Sequence, residues 1–404
     1  MPIHSQSVLK ERIDMKATPE AAIGIAPSLF RGGPFYRAQL AAKLIREGEW
    51  NHAKRVIITV AIAWIPLVLL TAFFNRAGLV SLLTSYRVYS RLLIAVPVLL
   101  IGQTIMESRF RMVVQTIIDA RLLADADLKR MEEIIASLVR LRDSFVPEVL
   151  VIVLVIAHMV VGIRTEVDFT PWLTYGTPLD FRLTEAGWYA VIVSSVIFQF
   201  LLGLSLWKWL LWTIFTFRLS RLDLKLVPTH PDGHGGLGFL ALTPVAFTPI
   251  SLAATAAIGA SWRHDILAHG AKLMSFKLDA LILVVIVVIV ALGPLAFFVP
   301  RLAKLRYQGI LDYGVLGQIQ STDFHEKWIR LRAGHEGEFL AAPESSSLAD
   351  FGSASAKVAQ LQPFPIDRAA LVGLAISIAA PMLPVVLAVI PLFVVLQDLL
   401  RAMR

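Results

Sequence analysis

Seven stretches of near-continuous apolar residues, at 56–74, 92–106, 145–163, 188–215, 237–258, 279–299 and 369–396, alternate with polar and basic segments. Crossing a hydrocarbon core of about 30 Å takes roughly 20 apolar helical residues, so each stretch reads as a membrane span. The second is short by this measure and would lengthen into its flanks, with Arg91 and Arg109 snorkelling from its ends. The expected fold is an all-α polytopic bundle of about seven spans with long helical cytoplasmic extensions.

The polar segments carry helical patterns of their own. Val113, Val114, Ile117, Ile118 and Leu122 recur at helical spacing beyond the second span. After a turn at 124–127, Met131, Ile134, Ile135, Leu138 and Leu141 line one face of a second helix, so 107–144 is expected to form an antiparallel hairpin. Ile310, Leu311, Val315 and Ile319 continue the sixth span in the same way, and close packing against the other arm would explain Gly309, Gly314 and Gly317. Ser347 and Asp350 have capping-box spacing ahead of a short helix. Six regions follow: a basic N-terminal segment suited to a membrane surface (1–55), two spans (56–106), the hairpin (107–144), spans three to six (145–299), a second cytoplasmic helical region (300–368) and a proline-broken last segment (369–404).

Composition agrees with the pattern. Of 404 residues 56% are hydrophobic and 17% charged, too apolar a balance for a soluble protein of this length. Lys and Arg set the orientation: with the N-terminus inside, 27 of the 38 fall on the cytoplasmic side. The first span is then expected to act as an uncleaved signal-anchor. Seven crossings place Arg401 and Arg404 outside, unless Pro381, Pro384 and Pro391 break the last segment into a re-entrant hairpin. The outer segment 164–187 carries Glu166, Asp168, Asp180 and Glu185. Absence of cysteine excludes thiolate metal sites and thiol redox chemistry, and the basic balance comes without any nucleic-acid module.

Two constellations carry candidate chemistry. The first is PTHPDGHGGLGFL at 228–240. His230, Asp232 and His234 are ligands that a divalent metal accepts, although His-x-Asp-x-His in a loop fixes no geometry. Alternatively, the amides around Gly235, Gly236 and Gly238 would cradle a phosphate or carboxylate. The structural alternative is a tight turn in which His230 and Asp232 cap the fifth helix. The second constellation is a polar seam inside spans three and four. By helix rise Glu148 and Lys208 lie about 6 and 12 Å inside the cytoplasmic boundary, and His158 and Gln199 about 20 and 25 Å. Such groups at membrane depth mark ion or proton paths, or else hydrogen bonds that hold the bundle together.

The motif THPDGHGGLGFL, with MSFK at 274–277, RYQGILDYGVLGQ at 306–318, FHEKWI at 324–329 and SSLADFG at 346–352, resembles an uncharacterised family of bacterial multi-pass inner-membrane proteins with an HPDxxGGLGFL core. The resemblance covers about 222–396. It implies an inner-membrane location and no activity, and it places His234 at a variable position while His230, Asp232, Gly235 and Gly236 match. Three functional classes are expected: a channel or transporter for an ion or small solute, a membrane-embedded enzyme using His230 and Asp232, or a scaffold docking a cytoplasmic protein through its helices. The lipid bilayer is an expected partner, and the arms suit homo-oligomer assembly.

Overall fold

The structure is a computed structural model that describes residues 28–45, 52–165, 169–177, 180–330 and 343–389. A short helix, α1 (Pro34–Ala41), precedes α2 (His52–Phe74) and α3 (Arg76–Leu83). One continuous helix, α4 (Tyr86–Asp119), is followed by α5 (Asp125–Asp143) and α6 (Val146–Thr165). An antiparallel hairpin of β1 (Thr174–Thr177) and β2 (Asp180–Leu183) leads into α7 (Glu185–Leu219), a departure from the all-α expectation. Then come α8 (Thr248–His269), α9 (Lys277–Ala296), α10 (Val299–Phe324), α11 (Pro343–Gln360) and α12 (Arg368–Leu387).

Among the described residues seven helical stretches are long and apolar enough to cross a membrane: Ala53–Phe74, Tyr86–Asp119, Val146–Ile163, Glu185–Leu219, Gly238–His269, Leu273–Ala296 and Arg368–Leu387. Their outward faces expose large apolar side chains, for example Val149, Leu150, Val153 and Leu154 on α6, as contact with lipid requires. We call the two ends of the bundle the turn end, which holds residues 228–240, and the hairpin end, which holds β1 and β2.

Three spans differ from the sequence reading. The second runs 34 residues, because a π-helical turn at Ser90–Ala95 lets it start at Tyr86. The fifth opens with 3-10 turns at Gly238–Leu242 and Pro244–Phe247, so its α-helix begins only at Thr248, with Pro249 in the first turn where a missing N–H costs nothing. The last continues as one helix through Pro381 and Pro384 to Leu387, without reversing. Pro391, Arg401 and Arg404 lie outside the described residues, as do residues 1–27, Glu166 and Asp168.

The main core sits at the turn end. Phe110 on α4 meets Phe215 on α7 edge-on at 5.2 Å, and Trp212 bridges to Phe247. Onto this cluster α5 lays its buried Met131, Ile135 and Leu138, packing chiefly on the last turns of α7. Helices α10 and α11 form an antiparallel pair of their own: a Cβ at Gly309 would stand 2.8 Å from Val358, and one at Gly317 would stand 2.9 Å from Phe351. These two glycines therefore serve the approach of α11 rather than of the 107–144 arm. Gly314 faces open space.

Candidate functional site

The glycine-rich turn is folded around Asp232. Its carboxylate accepts the amides of His234 at 2.8 Å, Gly236 at 3.1 Å and Gly238 at 2.7 Å, and His230 Nδ1 lies 2.8 Å from Oδ1. The anion held by this nest of amides is thus the chain's own side chain. Positive φ at Gly235 (65°) and Gly236 (101°) turns the backbone so that the amides converge, a conformation costly for other residues. Burial acts to raise the Asp232 pKa, but the three amides and His230 outweigh it and hold the carboxyl below its usual range. Asp232 therefore anchors the start of the fifth span through Gly238, while His230 steadies Asp232 and does not itself cap a helix.

His234 faces the other way. Its Nδ1 lies 3.0 Å from the Gln362 carbonyl, and the Gln362 amide donates to the Gly233 carbonyl at 2.8 Å. Among the described residues no three His, Asp or Glu side chains are grouped to hold a metal ion. The turn is instead a joint. Gly235 packs on Leu305 of α10, Gly309 packs on Pro228, and Gln362 ties in the segment between α11 and α12. The preceding loop adds the Leu123↔Leu224 bridge and a hydrogen bond from Lys225 N to Leu122 O at 2.8 Å.

A second polar assembly clamps the segment 28–45 across the turn end. Glu107, buried on α4, accepts the Ser28 hydroxyl at 2.7 Å, the Phe30 amide at 3.1 Å and Arg111 Nε at 2.6 Å. Asp143 at the end of α5 accepts the Gly33 amide at 2.9 Å, and Glu148 on α6 accepts the Phe35 amide at 2.8 Å. Three carboxylates from three helices thus take up amides ahead of and within the first turn of α1, where negative charge is favoured. Burial pushes the Asp143 carboxyl up, but hydrogen bonds from Arg142 and the Gly33 amide bring it below the usual range. Leu29 and Phe30 are fully buried beneath this network.

The seam residues fall into two separate chambers along α6 and α7. At the turn end Glu148 and Lys208 line a cavity of about 20 Å³ together with Gln103, Arg142, Tyr36 and Gln39, room for about one water. At the hairpin end His158 and Gln199 line a cavity of about 180 Å³. Between the chambers Gly203 presses on α6: a Cβ there would stand 2.6 Å from Val151 Cγ1. The structure brings each expected pair to one cavity and interrupts the seam where the helices touch.

Sequence reasoning missed Glu107, Asp143, Arg142 and Gln103. Gln103 was visible as a polar residue in the apolar run of the second span, and Glu107 stands just past its end. Nothing local announced Asp143 or Arg142, because their partners lie about a hundred residues upstream. No family model, curated protein or solved structure matches the chain.

Proposed function

We propose that this is a multi-pass transport protein of a bacterial inner membrane, its N-terminus cytoplasmic, moving an ion or small solute along the seam between α6 and α7. The carrying observation is the pair of chambers that hold the polar seam residues at opposite ends of one helix pair, with Gly203 packed on Val151 between them. Two chambers with a tight waist suit alternating access, in which small shifts of packed helices open one side at a time. With the N-terminus inside, the turn end, α5 and the α10–α11 pair face the cytoplasm, where the basic segments concentrate. The HPDGHGG turn then serves as the joint that ties the cytoplasmic helices to the spans.

Flux from proteoliposomes tests this reading. Vesicles holding the full chain should pass at least one ion or small solute faster than empty vesicles, and His158→Ala and Lys208→Met should each change that flux. Equal leakage from loaded and empty vesicles across monovalent ions, protons and small organic solutes would overturn it.

A scaffold role is favoured by a different observation. Tyr307, Leu311, Val315 and Ile319 form an exposed apolar stripe on α10, outside the seven candidate spans. A partner that co-purifies with the wild type and is lost when Leu311 and Val315 are both changed to Ser would support it.

A further inference from the structure

The clamped N-terminal segment forms one wall of the turn-end chamber. Gly32, Phe35, Tyr36 and Gln39 line that cavity opposite Leu204 and Trp207 of α7. Phe35 meets Phe200 of α7 edge-on at 5.2 Å, and its amide is held by Glu148 of α6 at 2.8 Å. The segment therefore bridges the two helices of the seam where they reach the turn end.

This closure leaves polar groups unpaired beneath it. Gln39 and Gln103 are each more than nine-tenths buried, yet Gln39 Oε1 and Gln103 Nε2 have no hydrogen-bond partner among the described residues, and neither has the buried Trp207 Nε1. All three residues line the same chamber. A donor or acceptor buried without a partner costs free energy that contact with water would return. Each of these atoms is closed to water in the present arrangement, so hydrating them requires a wall to move.

The N-terminal wall is built to be the one that moves. Leu29 and Phe30 are fully buried and hold the start of the segment on the main core. Beyond them the backbone turns left-handed at Gly33 (φ 89°), and again after α1 at Lys43 (φ 54°). Between these points α1 has eight residues, well short of the roughly 12–15 at which an isolated helix becomes even marginally stable, so it keeps its shape only while docked. Hinge points of this kind, a few residues at the ends of an element, absorb the angle changes of a closing motion.

We propose that residues 33–41 are a displaceable strap that gates the turn end of the α6–α7 seam, docked on Asp143 and Glu148 when closed and swinging about Gly33 and Lys43 to admit water to Gln39, Gln103 and Trp207. Its role as a gate rests on the transport reading and adds a regulatory element to it. The opening itself can be measured without transport.

The test uses the full chain in micelles, carrying Leu204→Cys as the only cysteine, at a buried position that lines the chamber and takes no part in the clamp. Asp143→Ala removes the acceptor of the Gly33 amide and should speed reaction of that cysteine with a small thiol reagent on the order of tenfold, as expected for losing one charge-assisted hydrogen bond. Gln199→Cys, in the hairpin-end chamber, should react at the same rate with and without Asp143→Ala. An unchanged rate at Leu204→Cys, or equal acceleration at both cysteines, would overturn the strap. Hydrogen exchange on the wild type decides the matter should Asp143→Ala fail to fold: amides of residues 33–41 should exchange at least about tenfold faster than those of 107–117 on α4, the mark of a local opening. Equal exchange would mean that the strap leaves only with the whole fold, and would overturn it. Accelerated labelling of a protein that passes no solute in vesicles would leave the strap standing and sink transport, whereas flux with unchanged labelling would sink the strap alone.

Discussion

Asp232 Oδ2 accepts the Gly238 amide at 2.7 Å, six residues along the chain, and this bond closes the glycine-rich turn onto the start of the fifth span. A Cβ at Gly238 would stand 2.8 Å from the Asp232 Cβ, so the glycine is required by the carboxylate's position. Replacing Asp232 by Ala strands three amides and should cost about 2–4 kcal/mol of stability. Asp232→Asn, which keeps one acceptor oxygen, should cost less. Denaturant titration in micelles of both variants checks the order, and equal stability of Asp232→Ala and wild type would remove the joint from this account.

The same carboxylate makes stability depend on pH. Its folded pKa is depressed below the unfolded value of about 3.9, so its contribution is complete above that pH and is lost as pH falls through the folded pKa. Asp143 is depressed as well and acts in the same window. The acid limb of the stability curve should be shallower in Asp232→Asn than in wild type. Melting temperatures between about pH 2 and 5, across the window below the unfolded pKa, measure it.

Glycines should divide by what faces them. Gly238→Ala meets Asp232 and should destabilise by roughly 1–3 kcal/mol. Gly352→Ala, inside α11 with nothing within 4 Å, should stabilise by about 0.5–1 kcal/mol through helix propensity alone. Opposite signs in thermal unfolding are the expected outcome.

Much of this architecture was legible in the chain. Runs of apolar residues located the seven spans because lipid contact demands them along the whole length, as Val149 to Leu154 illustrate. Ends were harder to read: the second span's polar flanks hid the π-helical turn, and the 3-10 turns before Thr248 look like ordinary apolar helix in sequence. At the candidate site the right residues stood out at 230–238, but their division of labour did not. A glycine-rich run with an aspartate reads equally as an external anion site or as a closed turn, because whether the carboxylate folds back into the amides is decided by φ angles that glycine leaves free. The β-hairpin was missed because strands of four residues leave little pattern.

Attachment of the N-terminal segment should rest on Glu107. Glu107→Ala removes the acceptor for Ser28 and Phe30 and leaves Arg111 without its 2.6 Å partner, at a cost of about 2–4 kcal/mol. Trypsin should then cut sooner at Arg31, Arg37 or Lys43, whereas the exposed Glu132→Ala should leave cleavage unchanged. Identical digestion of Glu107→Ala and wild type would contradict the clamp.

The waist between the chambers should behave as one coupled pair. Gly203→Ala should push α6 from α7 and destabilise by about 1–3 kcal/mol, and Val151→Ala in the same chain should recover at least about 0.5 kcal/mol of that. A double-mutant cycle on unfolding free energies reads the coupling directly.

Because the chain has no cysteine, single cysteines can be placed along the seam without background. The central claim is tested most directly by labelling Gln199→Cys and Lys208→Cys in sealed vesicles with a membrane-impermeant thiol reagent, beside lipid-facing Val153→Cys. The account predicts that Gln199→Cys reacts from the hairpin-end side, Lys208→Cys from the turn-end side, and Val153→Cys from neither. Silence at both seam positions from both sides, with the protein folded, would contradict a path between α6 and α7.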